Sequence, residues 1–223
     1  MLIRRVVLML VVAGAVCFLC SCAPTRLTSH PATLGWKSVL ADDLSNCTFK
    51  PGSWTYEDGV LTRKGGGDIW TKEVYGDFIL DLEFKVAKQT NSGVFFRTAD
   101  IKKWLHTGIE IQIHDSFGRA EPDKHSCGAV YDVQEPSVNA VKAPGEWNRM
   151  TIMAKDSMIY IVLNGEQIID MDLNDWPEAH LNKDGTKNKF NIAYKDMARK
   201  GVFGFQDHGK PVWYRNIKVK KLN

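Results

Sequence analysis

Apolar and polar side chains alternate strictly along "TGIEIQIHD", residues 107–115. Side chains of a β-strand point alternately to its two faces, so this pattern predicts a strand with one wholly apolar face. The apolar positions are Ile109, Ile111 and Ile113, and the polar positions are Glu110, Gln112 and His114. Lys, Thr and Ser are more usual on a surface strand, and we therefore expect the polar row to have a chemical role.

Period-two alternation between turn residues recurs along most of the chain. The other segments that show it are residues 59–64, 77–87, 92–99, 128–133, 148–170, 201–209 and 212–222. Within 148–170, "KDS" and "NGE" indicate hairpin turns. Many short strands separated by turns predict an all-β fold in which two sheets pack as a jelly-roll sandwich.

The stretch near residues 174–200 departs from this alternation. It is long, charged and mixed in character, and we expect a rim loop of the sandwich that holds a short helix. In a sandwich only the inner faces need to be apolar. The three isoleucines of 107–115 are therefore expected in the core, and the polar row on an open outer face, where it needs no burial.

The first residues have the form of an export signal. Arg4 and Arg5 precede an apolar run over 6–19 that is too short for a comfortable membrane span. The run ends in "LCSC", which resembles a bacterial lipobox and predicts a lipoprotein signal peptide over residues 1–21 with lipidation at Cys22. An ordinary cleaved signal that contains cysteines is the alternative. Ala23 after the cysteine favours the outer membrane of a bacterium, with the domain in the periplasm or at the cell surface.

Residues 22–34 contain proline, threonine and serine and are predicted to form a flexible tether. Residues 35–223 have the length of one domain. Without Arg4 and Arg5, the 29 basic residues fall to 27, against 26 acidic residues, and this near-neutral balance argues against a nucleic-acid partner. Cys47 and Cys127 are compatible with a disulfide or with two free thiols.

Glycines adjoin polar side chains on several of the predicted strands, at Gly93, Gly108, Gly128 and Gly204. A glycine in a strand leaves room for a ligand to approach the backbone. If these strands are neighbours, seven side chains converge on one pocket: Arg97, Glu110, Gln112, His114, Tyr131, Gln206 and His208. Asn91 shares the parity of Arg97 and is expected beside them.

The motifs that carry these residues stand in the order of a known family. "NSGVFFR", "GIEIQIHD", "QDHG" and "RNI" resemble the 3-keto-disaccharide hydrolase domain family, formerly a domain of unknown function, over residues 35–222. The resemblance implies a fold similar to concanavalin A-like lectins and glucanases. It also implies a substrate, a disaccharide or glycoside oxidised to a ketone at sugar carbon 3. The loop before Gly108 departs from the family with Trp104 and His106, which leaves substrate choice open.

A ketone at carbon 3 acidifies the hydrogen on carbon 2. A base removes that proton, the resulting enediolate expels the aglycone from carbon 1, and water adds back to complete a net hydrolysis. This chemistry needs a base, a group that holds the oxyanion and an acid for the leaving oxygen. Imidazole suits the base, because its ordinary pKa of about 6.5 is near working pH.

The resemblance gives each candidate residue a role. His114 or His208 acts as the base, Glu110 orients a histidine or protonates the leaving group, and Arg97 holds the ketone or the enediolate. The expected hydroxyl-binding residues are Asn91, Gln112, Tyr131 and Gln206. The sequence establishes no cofactor, and a divalent metal stays open, because the three side chains Glu110, His114 and His208 are competent ligands for one. The partners expected are the oxidised sugar and an oxidoreductase that produces it.

Three other functions remain open at this point. A laminarinase-like glucan hydrolase would need a second carboxylate, because the polar row holds only Glu110. A non-catalytic carbohydrate-binding surface lipoprotein would use the same fold without a base. A purely structural surface lipoprotein would leave the polar row unexplained.

Overall fold

Residues 26–222 are described by a computed structural model, in which two antiparallel β-sheets pack face to face. The first strands are β1 (Lys37–Ser38), β2 (Cys47–Thr48), β3 (Trp54–Glu57), β4 (Val60–Arg63), β5 (Ile69–Thr71), β6 (Phe78–Val86) and β7 (Asn91–Thr98). The others are β8 (Ile109–His114), β9 (Asn148–Lys155), β10 (Met158–Leu163), β11 (Glu166–Asp172), β12 (Val202–Phe205) and β13 (Val212–Lys221). One short helix, α1 (Trp104–Thr107), follows a 3-10 turn over Ile101–Lys103.

The larger sheet has eight strands and the smaller has five. In the larger sheet the order is β11-β10-β9-β6-β13-β4-β3, with β1 also paired to β13. In the smaller sheet the order is β2-β5-β12-β7-β8. Strand β8 therefore ends the smaller sheet, beside β7 and close in sheet order to β12. The predicted all-β sandwich is confirmed.

The core lies between the two sheets. Ile109, Ile111 and Ile113 of β8 are fully buried there, as their parity predicts. Aromatic rings join the sheets, because Phe78 of the larger sheet contacts Phe96 and Phe203 of the smaller sheet with ring centroids 5.5 and 4.8 Å apart. The two cysteines, Cys47 and Cys127, are unpaired and buried, which settles the question of a disulfide.

One predicted strand differs from the expectation. Residues 128–133 form no strand but run along the free edge of β8, where the N–H of Gly128 donates to Gln112 O (2.8 Å) and that of Tyr131 to Glu110 O (3.0 Å). The long stretch near 174–200 is a loop, as predicted, and its short helices are the 3-10 turns at Leu173–Asp175 and Tyr194–Asp196. Both segments are loops held by hydrogen bonds to neighbouring backbone.

The predicted flexible tether needs correction over residues 26–34. Leu27 packs on the outer face of the larger sheet, in a cluster with Ile79, Met153, Tyr160, Val162 and Leu222. His30 lies between Thr151 Oγ1 (2.8 Å from Nδ1) and the N–H of Gly165, which donates to Nε2 (3.0 Å). Residues 26–34 are thus a strap, bound to the sheet through apolar burial and specific hydrogen bonds.

The predicted signal peptide over 1–21 and the predicted lipidation site Cys22 lie outside the described residues. Within 26–222, no helix is long and apolar enough to cross a membrane.

Docking of the strap can be tested by truncating its buried leucine. Leu27 is 4% exposed, whereas Leu34 in the same segment is 97% exposed. We expect Leu27→Ala to lower the free energy of unfolding by about 2–3 kcal/mol, and Leu34→Ala to change it by less than about 0.5 kcal/mol. Urea unfolding of both variants measures the difference. Equal stability of the two variants would show that the strap does not pack on the sheet.

Candidate active site

A cavity of about 360 Å³ lies on the face of the smaller sheet that points away from the core. Its lining residues are Asp68, Asn91, Trp104, Leu105, Glu110, Gln112, Tyr131, Lys189, Gln206, Asp207 and His208. Strands β7 and β8 and the end of β12 form its floor, α1 supplies an apolar wall, and the loops that hold Tyr131 and Lys189 close it. A volume of this size suits a small-molecule site.

Glu110 lies at the floor of this cavity and is only 5% exposed. Gly93, its neighbour on β7, makes the space for it: a Cβ built on Gly93 would lie 2.3 Å from Glu110 Oε1. The sequence expectation of an open polar face is therefore wrong here, because Gln112 beside Glu110 is buried too. The polar row lies in a covered cavity.

Burial determines the protonation state of Glu110. Loss of hydration raises the pKa of this carboxyl to about 8; the ammonium of Lys189 acts in the opposite direction and the carboxylate of Asp68 adds to the rise. A carboxyl removed from water prefers its neutral form. At pH 7 the group is therefore mainly protonated and able to give a proton.

Asp207 has the opposite character. Burial acts to raise its pKa, but an ion pair with Arg63 and backbone N–H groups bring the pKa down to about 2. The donors are the N–H groups of Gly66 (2.6 Å), Gly67 (2.9 Å) and Gly209 (3.0 Å). Asp207 thus stays ionised and joins the end of β12 to the glycine loop before β5.

Asp68 and His208 form a second pair of titratable groups on the cavity wall. Burial raises the pKa of Asp68, while the N–H of Asp207, which donates to Asp68 Oδ1 (2.8 Å), and the nearby imidazole of His208 act to lower it. His208 is exposed at the mouth. A carboxylate beside an imidazole is an arrangement that can hold or accept a proton.

Amide and hydroxyl groups complete the lining. Gln112 Nε2 donates to Asn91 Oδ1 (3.0 Å), and Lys189 Nζ donates to Tyr131 Oη (2.6 Å). Gln206 is 7% exposed, and its buried Oε1 has no hydrogen-bond partner among the described residues. Buried polar atoms are normally paired, so Gln206 is available to accept a hydrogen bond from a bound molecule.

The structure brings six of the predicted site residues together. They are Asn91, Glu110, Gln112, Tyr131, Gln206 and His208. His114 keeps the parity of Glu110 but lies beyond the cavity lining. There burial, and next the charge of Arg119, lowers the pKa of His114.

Arg97 is a correction to the predicted convergence. Its backbone adopts a positive φ of 52°, which interrupts the alternation of β7, and its fully buried side chain turns away from the cavity. The guanidinium contacts Asp77 Oδ1 (2.7 Å) and the carbonyl oxygen of Asp156 (2.8 Å), so it joins the smaller sheet to loops of the larger one. Arg97 cannot hold an oxyanion in this cavity; its position indicates a structural role.

Several lining residues were not predicted. Asp68 follows three glycines in "GGGDIW", which is a signal that a search for glycines beside polar residues could have found. Lys189 lies in the irregular 174–200 stretch, where periodicity gives no information. In the sequence Trp104 marks only a departure from the family in the loop before Gly108; in the structure its ring packs on Phe95 of β7, with centroids 4.9 Å apart.

The three residues considered as metal ligands are not assembled at one place. Glu110 and His208 line the cavity, and His114 does not. Among residues 26–222, no group of three or more His, Cys, Asp or Glu side chains has an arrangement that could hold a metal ion.

Comparison with known proteins gives the family. Residues 34–220 match the family described as the 3-keto-alpha-glucoside-1,2-lyase-like domain. The chain belongs to this family. The resemblance inferred from its motifs is confirmed, and the matched range includes every residue of the cavity.

Relatives agree with this assignment. A 3-keto-disaccharide hydrolase of Bacteroides thetaiotaomicron is 25% identical, over 85% of this chain and 75% of the relative. The crystal structure of a Parabacteroides distasonis protein, provisionally named a glycosyl hydrolase, is 36% identical over 84% of this chain and 99% of that one, with a TM-score of 0.79. A Bacillus subtilis carbohydrate-binding module, 14% identical with a TM-score of 0.52 over 82% and 99% of the two chains, shares the fold. The family and these names indicate an enzyme that acts on glycosides.

The buried Glu110 predicts a pH dependence of stability. The unfolded chain ionises this residue above about pH 4.3, whereas the folded protein keeps the proton to about pH 8. The free energy of unfolding therefore falls as pH rises between these values, with a slope of up to about 1.4 kcal/mol per pH unit from this group. The substitution Glu110→Gln should remove the part of this pH dependence that comes from the carboxyl group.

Urea unfolding of the parent and of Glu110→Gln between about pH 4 and pH 9, a range that includes both pKa values, measures the effect. Glu121→Gln, in an exposed loop, is the matched control and should follow the parent. Parallel pH profiles for the parent and Glu110→Gln would contradict the assignment of a neutral buried carboxyl.

Proposed function

We propose that the protein cleaves glycosides or disaccharides whose sugar carries a ketone at carbon 3. The observation that carries this proposal is the protonated carboxyl of Glu110 at the floor of a cavity that also contains a cation and an imidazole. Membership of the family and the name of the Bacteroides relative support the substrate class.

In the proposed reaction a base removes the proton from carbon 2 of the keto sugar. His208, next to Asp68, is positioned for this step at the cavity mouth. The electrons of the C–H bond move toward the ketone oxygen and give an enediolate. Lys189 supplies the positive charge that holds this oxyanion, the role that the sequence had suggested for Arg97.

The enediolate then expels the aglycone from carbon 1. Glu110 gives its proton to the departing oxygen, so the aglycone leaves as a neutral alcohol and Glu110 becomes a carboxylate. Water adds to the double bond between carbons 1 and 2 and restores a free 3-keto sugar. In this step the water gives its hydroxyl to carbon 1 and its proton to Glu110, His208 returns to carbon 2 the proton that it removed, and the net reaction is hydrolysis.

The amides of the cavity orient the sugar. Gln206 accepts a hydrogen bond from a sugar hydroxyl at its unpartnered Oε1, and the Gln112–Asn91 pair and Tyr131 offer further donors and acceptors. Trp104 and Leu105 of α1 give the apolar wall against which a sugar ring or aglycone packs. Because α1 belongs to the loop that departs from the family pattern, this wall is where we place the choice of substrate.

The decisive experiment compares a 3-keto-glucoside with its unoxidised parent. We expect the purified protein to release aglycone from the keto substrate alone, because only the ketone acidifies the hydrogen on carbon 2. Glu110→Gln and Lys189→Met should each reduce turnover at least about 100-fold. Lys195→Met, at an exposed position of the same loop, should retain the parent rate.

Other outcomes favour other functions. Release from the unoxidised glycoside would favour a two-carboxylate hydrolase, for which Asp68 and Glu110 provide the acids. Sugar binding without release from either substrate would favour a carbohydrate-binding module.

We also propose that the chain is exported and anchored by lipid at Cys22, in the outer membrane or at the cell surface, and that a sugar 3-oxidoreductase supplies its substrate. In a bacterial host, Cys22→Ser should move the protein from the membrane fraction to the soluble fraction. Cys20→Ser, two residues before, is the control and should leave it with the membrane. Retention of Cys22→Ser in membranes would contradict lipid anchoring at this residue.

A further inference from the structure

A second cavity, of about 580 Å³, lies at the free edge of the larger sheet. Its lining comes from the edge strand β11 at 167–171, from residues 133–137 and from residues 175–184, with Arg26 and Lys124 at its borders. It shares no lining residue with the candidate active site. Its volume is within the range of small-molecule sites.

The walls of this cavity are fixed by hydrogen bonds. The N–H of Ser137 donates to Ile168 O (2.9 Å), which holds the 133–137 segment along β11. Asn182 Nδ2 donates to Asp132 O (3.1 Å), which ties the 175–184 segment to the residues just before 133. The cavity therefore lies between segments that are connected by hydrogen bonds.

Two nitrogen donors of the lining have no acceptor. Trp176 is 4% exposed and its indole Nε1 is buried, and the amide Nε2 of Gln167 is buried as well. Neither nitrogen has a hydrogen-bond partner within residues 26–222. Since buried N–H groups are normally paired, these two donors are the groups of the lining that a hydrogen-bond acceptor would satisfy.

The charges of the lining argue for a neutral ligand. Three ion pairs occupy its basic side chains: Arg26–Asp170 (2.5 Å), Lys124–Asp184 (2.5 Å) and Lys183–Asp175 (2.6 Å). Glu135 remains as a further carboxylate in the lining. An anion would meet no unpaired cation in this lining, and a cation would not satisfy the N–H donors of Trp176 and Gln167.

We propose that this cavity is a second ligand site and that it binds a neutral polyhydroxylated molecule, in chemical terms a carbohydrate. Hydroxyl and ring oxygens accept hydrogen bonds from Trp176 Nε1 and Gln167 Nε2, and sugar hydroxyls donate to the carboxylates around the rim. The site is separate from the cavity of Glu110 and does not require that the proposed reaction be correct.

The test is a nuclear magnetic resonance titration of the ¹⁵N-labelled protein, with glucose, galactose and N-acetylglucosamine as probes. We expect at least one sugar to shift the indole N–H signal of Trp176 saturably, together with the amide signals of β11. Trp176→Phe removes the donor and keeps an aromatic ring, and Gln167→Leu removes the other donor. Each should weaken binding about tenfold, read from the β11 amides.

Trp147→Phe is the matched control, because Trp147 lies outside this lining and packs under Arg215 (4.0 Å from ring centroid to guanidinium carbon). It should bind the sugar as the parent does. The absence of a saturable shift with all three sugars would overturn the proposal. An equal shift with sodium phosphate would overturn the neutral-ligand assignment, and shifts confined to Gln112 and Gln206 would place the sugar in the other cavity.

Discussion

Strand β8 is buried on both of its faces, and the candidate site depends on this double burial. Its isoleucines lie between the sheets, while α1 and the loops around Tyr131 and Lys189 cover the face that carries Glu110 and Gln112. Its free edge is closed as well, because the backbone of residues 128–131 hydrogen-bonds to it. A carboxyl on such a strand loses most of its hydration, and its raised pKa follows from that loss.

The alternation of apolar and polar residues along the strands made much of this arrangement predictable. Where a strand repeats apolar residues at alternate positions, as at 109, 111 and 113, parity decides which side chains enter the core, and the structure agrees. Parity also placed Glu110 and Gln112 on one face of their strand, and Gln206 joins them because its strand lies in the same sheet. It could not show that the surface is covered, because the covering residues come from loops far away in sequence. The 128–133 segment shows the same limit: its alternation is real, but it forms only isolated bridges with β8 and Gln134.

The errors in the predicted site have local causes. Arg97 has the right parity, yet a positive φ reverses its direction, and nothing in "FFRTAD" signals that conformation. The pairing of β7 with β12 is irregular at this point, where Gly201 lies against the backbone of Arg97. His114 is absent from the lining for another reason, because the cavity ends before this position of β8. Lys189 was not predictable, because a charged residue in an irregular loop can contact any neighbour that the fold supplies.

The cavity keeps neighbouring carboxyl groups in opposite states. Asp207 is ionised because Arg63 and three backbone N–H groups surround it, and its oxygens are committed to holding the glycine loop. Glu110 is neutral because burial removes its hydration, and the ammonium of Lys189, which donates to Tyr131 Oη, lowers the pKa of the carboxyl too little to ionise it at pH 7. A contact between Lys189 and Glu110 would ionise the carboxyl and remove the acid from the cavity. In the proposed reaction the hydroxyl of Tyr131 would therefore act by holding the ammonium of Lys189, as well as through any contact with a sugar.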